Sequence, residues 1–118
     1  MTNLRIRQVQ RDRVTILALE GTLLGGQEGE ELRNLVYEAV QQERNRVVLD
    51  LGGVTWMNSS GLGLLVAALS TLRASGGEMV LARVPDRVLR TLQITRLESV
   101  FRMVPGVDEG VAELAEGV

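Results

Sequence analysis

Asn58, Ser59, Ser60 and Gly61 are small and polar, and they separate two apolar stretches, Val47 to Leu51 upstream and Leu62 to Leu72 downstream. If a helix begins here, an Asn or Ser ahead of its first turn accepts a hydrogen bond from an otherwise orphaned backbone N–H, worth about 1 kcal/mol. Gly61 and Gly63 let such a turn approach a sheet closely. Side-chain oxygens gathered with free N–H groups at the positive end of a helix also favour an anion. A Ser hydroxyl placed there can accept a phosphoryl group. Its charge of about −1.5 to −2 is tolerated by the helix end and repelled by an acidic or apolar docking surface. The four residues therefore have two readings, a plain helix cap and a switch.

Catalysis is not expected. The chain has no His and no Cys, which removes imidazole acid–base chemistry, thiolate chemistry and nearly every transition-metal site. Ser59 has no His to activate it, and Asp50, the only acid in the strand leading to it, is expected to cap local backbone or face solvent. Gly61-Leu62-Gly63 lacks the third glycine and the ribose-binding acid of a dinucleotide fingerprint. No cofactor and no metal are expected. Thirteen basic against fifteen acidic residues leave a formal charge of −2, and the arginines are scattered, so nucleic acid is not an expected partner. No uninterrupted apolar run reaches the roughly 18 residues of a membrane span. The N-terminal residues MTNLRIRQVQRDR have no apolar core behind their charges. A cytoplasmic location is expected, and the sequon Asn58-Ser59-Ser60 is then accidental.

The elements that must position this turn follow from hydrophobic period. Leu4 to Val9 and Val14 to Leu19 flank a polar turn and predict a hairpin. The glycine-rich residues 21–29 show no period, after which Leu32, Leu35, Val36, Ala39 and Val40 form one helical stripe. Val47 to Leu51 predicts an interior parallel strand. A helix from about Ser60 to Ala74, apolar over most of its circumference, is stopped by Ser75-Gly76-Gly77. Met79 to Ala82 is a further strand, and Pro85-Asp86 opens a helix with Val88, Leu89 and Leu92 facing inward. Val100 to Val104 is the last strand, and Asp108 to about Ala115 the last helix. The order ββαβαβαβα predicts an α/β fold in a single domain, residues 1–118, with a mixed sheet.

The segment VVLDLGGVTWMNSSGLGLLVAALSTLRASGGEMVLARV resembles the central part of the STAS domain of bacterial anti-sigma-factor antagonists. There a strand, an Asp-Ser-Ser/Thr-Gly-Leu-Gly turn and an apolar helix follow one another. The resemblance extends in register from the Glu20-Gly21 turn to the Leu92–Phe101 segment. It implies a STAS-like mixed sheet of four to five strands with helices largely on one face. It also implies that Ser59 is the phosphoacceptor of an anti-sigma factor with serine kinase activity. The unphosphorylated chain would bind that kinase through Asn58, Ser60, Gly61 and Leu62 of the docking turn and through the first loop, Leu23 and Leu24.

Two positions depart from the family pattern. The acidic residue before the acceptor is Asn58, and the acidic residue often present in the first loop is Leu24. Both changes remove negative charge from the docking face. They fit a diverged antagonist and also a STAS adaptor or scaffold subunit, of a signalling complex or of a lipid or anion transport system, that docks without phosphorylation. Helix two and the first loop are expected mainly to pack the core. An exposed patch of Leu23, Leu24 and Trp56 is the other expectation, meeting a signalling partner or, as a homodimer, a second copy of the chain. Trp56 is read either as a core anchor or as an interface residue.

Overall fold

The computed structural model describes residues 4–116. The element order is β1 (Leu4–Arg11), β2 (Val14–Leu23), α1 (Gly26–Gln41), β3 (Arg46–Met57), α2 (Ser59–Ala74), β4 (Glu78–Ala82), α3 (Asp86–Ile94), β5 (Arg102–Val104) and α4 (Val107–Glu116). The strands form one sheet in the order β1-β2-β3-β4-β5. β1 runs antiparallel to β2, and β2 to β5 are mutually parallel. This is the expected mixed sheet in the expected order.

Alternation along the strands divides the core in two. Leu17, Leu19, Val47, Leu49, Leu51, Met79 and Leu81 point to one face, where Leu32 and Val36 of α1, Leu65, Leu69 and Leu72 of α2, and Val88 and Leu92 of α3 cover them. Val14, Ile16, Val48, Val80 and Ala82 point to the other, against Val111 and Leu114 of α4. Three of the four described helices thus share one face. α2 packs on β2, β3 and β4 and also on α1 beside it, so more than one of its sides is covered, which explains why it is apolar nearly all round. The exposed positions along its middle are small: Gly63, Ala67 and Ser70.

Several boundaries differ from the sequence expectation, each for a local reason. β3 runs on to Met57 because it stays paired to β2 as far as Leu23, across register shifts near Glu20 and Thr22. Gly52-Gly53 interrupts the apolar pattern without ending the strand. Gly52 is instead where the Arg83 guanidinium lies, in space that any side chain would fill. α1 begins inside the glycine-rich stretch, after Gly25 at φ +84°. α2 begins at Ser59, one residue early, and ends as expected with Gly76 at φ +82° and the Gly77 N–H donating to the Leu72 carbonyl at 2.8 Å. β5 keeps only three residues, because Arg96 at φ +59° closes α3 and Val100 donates to the Leu97 carbonyl in a turn. Phe101 still reaches the main core.

The two sheet edges are unlike. β1 presents the exposed side chains of Arg5, Arg7 and Arg11 along eight residues. β5 is short, and its Arg102 pairs with Glu113 of α4, a carboxylate whose hydrogen bond and charge raise the guanidinium pKa further. Among the described residues, no helix is long and apolar enough to cross a membrane.

Leu65, fully buried in the main core, measures how far α2 is sealed into it. Leu65→Ala is expected to cost about 2–5 kcal/mol, seen as a lower urea midpoint at unchanged slope. A loss under about 1 kcal/mol would mean that this face of α2 is not part of the cooperative core.

Candidate functional site

Parallel strands end together, so β2, β3 and β4 deliver the starts of α1, α2 and α3 to one edge of the sheet. At such an edge of an α/β sheet, ligands and reactive groups gather. The turn at Asn58 is its central element.

Asn58 has extended backbone and is the N-cap of α2; its side-chain oxygen accepts the Gly61 N–H at 2.8 Å, and its carbonyl accepts the Leu62 N–H at 2.9 Å. An Asn at this position fills the cap without bringing a charge. No acidic residue occupies the first turn of this 16-residue helix, so its positive end is offset by no carboxylate of its own. Ser59 and Ser60 are the first two helical residues, and both are exposed. Among the described residues, no side chain or carbonyl takes a hydrogen bond from the Ser59 hydroxyl.

The turn is held from below by the end of β2. The Asn58 N–H points to the Leu23 carbonyl at 3.4 Å. Gly61 lies directly against that carbonyl, and a Cβ there would collide with it. Gly25, in the left-handed region, is packed on Ser60, whose Cβ would be 2.8 Å from a Cβ added at Gly25. The first loop and the Ser turn are therefore one surface.

The residues singled out from sequence divide by accessibility. Asn58, Ser59 and Ser60 are exposed and Leu24 partly so. The expected exposed patch of Leu23, Leu24 and Trp56 is corrected at Leu23, whose side chain is fully buried because β2 extends that far and turns it inward. Gly61 and Leu62 are buried as well, under the first loop and in the core. They shape the turn from behind. Trp56 is exposed, at 51% of its surface, and is no core anchor.

Two features of this edge were not legible beforehand. The Arg87 guanidinium sits 5.9 Å from the centroid of the Trp56 ring and donates to the Thr55 carbonyl at 3.3 Å. Asp50 accepts both the Gly52 N–H at 3.0 Å and Arg83 Nε at 2.9 Å, so it caps local backbone as expected and also carries an ion pair. No sequence spacing marks either pairing, since each joins β3 to a segment some thirty residues away. Among the described residues, no three His, Cys, Asp or Glu side chains gather to hold a metal ion.

A mixed five-stranded sheet carrying a capped Ser turn between its central strand and a buried helix defines a STAS-type α/β fold. The chain belongs to the STAS domain family, which residues 5–110 match. It is 31% identical over 115 residues to an anti-sigma F factor antagonist of Paenibacillus polymyxa, covering 97% of this chain and 95% of that protein. It is also 38% identical over 66 residues to an anti-sigma-B factor antagonist of Listeria monocytogenes, covering 54% of this chain and 58% of that one. The crystal structure of an anti-sigma factor antagonist from Mycobacterium paratuberculosis superposes with a TM-score of 0.79 at 20% identity, over 94% of this chain and 93% of the other, and so shares the fold.

The cap and the close approach separate in energy. Asn58→Ala removes one hydrogen bond and is expected to lower the unfolding free energy by about 1 kcal/mol. Gly61→Ala forces α2 off the β2 carbonyl and is expected to cost about 1–3 kcal/mol despite alanine's better helix propensity. Urea denaturation of both variants checks this, and a neutral Gly61→Ala would show that the turn has room to spare.

Proposed function

We propose that this chain is an anti-sigma-factor antagonist that works as a protein-binding switch. In its unphosphorylated form it binds an anti-sigma factor with serine kinase activity through the surface around Ser59. The kinase transfers the γ-phosphoryl of ATP to Ser59 Oγ, the hydroxyl proton is lost, ADP leaves, and the phosphorylated chain lets go.

One observation carries this reading: an exposed, unengaged Ser hydroxyl in the first turn of a long helix whose N-terminus has a neutral cap and no acid. The phosphoryl charge is there favoured by about 0.3–1 kcal/mol from the helix end, so modification leaves α2 intact. The same charge, of about −1.5 to −2, opposes an apolar or acidic partner surface laid over the turn. The switch then acts on the interface and leaves the fold alone. The neutral residues Asn58 and Leu24 bear on affinity, since an acid at either position would repel the phosphoryl group in this turn and weaken its capture.

The test uses the anti-sigma-type serine kinases of the source organism, each purified and incubated with the chain and ATP. Intact-mass and fragment analysis should find one added phosphate, on Ser59, with none on Ser59→Ala. Ser59→Asp should bind the same kinase at least about tenfold more weakly than the unmodified chain. A kinase that binds the wild-type chain and the Ser59→Asp variant equally well would make this turn a plain docking surface, as in an adaptor, and would reject the switch.

A further inference from the structure

The segment just beyond the Ser turn in space is basic, although the chain as a whole is acidic. Residues 83–98 hold Arg83, Arg87, Arg90 and Arg96 against Asp86 and Glu98, a balance of +2, which leaves −4 for the remainder of a chain of charge −2. Arg83 is engaged by Asp50. Among the described residues, neither Arg87 nor Arg90 has a carboxylate within ion-pair distance. Arg87, Arg90 and Ile94 fall at i, i+3 and i+7 of α3, on one exposed stripe. Ile94 is 75% exposed, the most exposed of the large apolar side chains among the described residues.

Trp56 joins this stripe to the Ser turn. It precedes Ser59 by three residues, so the two Cα atoms are within about 11 Å. Its ring stands beside the Arg87 guanidinium. A standard interface takes about 800 Å² from each partner, and one centred on Ser59 therefore includes Trp56 and Arg87. Arg and Trp are among the side chains that most often dominate binding energy, the indole because it brings a large rigid surface and the guanidinium because its planar fork of donors is pre-organised.

We infer that the partner gripped at Ser59 also docks across α3, with a surface that is acidic opposite Arg87 and Arg90 and that offers an apolar seat for Trp56. This rests on the switch reading and deepens it. An acidic partner surface is attracted by the unpaired guanidiniums while Ser59 is unmodified. Once the turn carries a phosphoryl group the same acidity works against the complex. The absence of acids at Asn58 and Leu24 belongs to the same pattern, since this edge presents no negative side chain in the turn that would oppose such a partner. Recognition and release are then two consequences of one charge distribution.

The experiment uses the full chain with the kinase that binds it, at about 50 and about 300 mM NaCl. Arg87→Glu/Arg90→Glu changes two exposed helical residues and is expected to lose at least about tenfold in affinity at the lower salt, with a flatter salt dependence than the wild type. Arg7→Glu, one such charge change on the far edge strand, is expected to stay within about twofold, which separates a local contact from overall charge. Because Trp56 is the single tryptophan, 5-fluorotryptophan labelling gives one ¹⁹F resonance, expected to shift when the kinase is added. Trp56→Ala should weaken binding at least about tenfold, with partial recovery in Trp56→Phe. Wild-type affinity in the double Arg variant, or a Trp56 resonance unmoved in the complex, overturns the inference and leaves the switch standing if Ser59→Asp still releases the kinase. No binding by the wild-type chain to any such kinase overturns both.

Discussion

Everything at the functional edge depends on how closely the first turn of α2 sits on the last residue of β2. Gly61 occupies a place against the Leu23 carbonyl where no Cβ fits. With the helix that low, Asn58 reaches both the Leu23 carbonyl and the Gly61 N–H, Leu23 must turn its side chain into the core, and Gly25 is brought onto Ser60. A single backbone approach thus fixes the cap, the first loop and the exposure of Ser59. The rest of α2 secures it through Leu62, Leu65 and Leu69 in the common core.

The fold was largely written in hydrophobic period. The alternation of Leu4 and Ile6 with Arg5 and Arg7 in β1, the interior runs of β3 and β4 and the stripe of α1 each match a physical surface of the sheet or core. Legibility failed where glycine does two jobs. Gly52-Gly53 looks like a stop and is a crossing point for Arg83, while Gly25-Gly26 looks like loop and is the start of α1. In the site, the Asn58 cap was legible because a cap is a local device read from neighbouring residues. The burial of Leu23 was not, since it follows from how far β2 and β3 stay paired, and the Trp56–Arg87 contact joins segments that only the sheet brings together.

The arrangement assigns different work to charge and to neutral polarity. The neutral oxygen of Asn58 orders the turn. Formal charges are kept off it, and several elsewhere are set aside in pairs, as in Arg83 with Asp50 and Arg73 with Glu78. Exposed pairs of this kind contribute at most about 1 kcal/mol each. Their placement bears mainly on which surfaces remain electrically open, and the first turn of α2 is one of them.

The unlike edges of the sheet have a consequence for self-association. A row of open backbone N–H and C=O groups invites another strand, and proteins discourage this with edge charges or very short edge strands. β1 uses the first device with Arg5, Arg7 and Arg11, and β5 the second with three residues tied to α4. Ribbon-like pairing of copies through open backbone groups is thereby disfavoured at both ends of the sheet, and any contact between copies falls to the helical faces and loops.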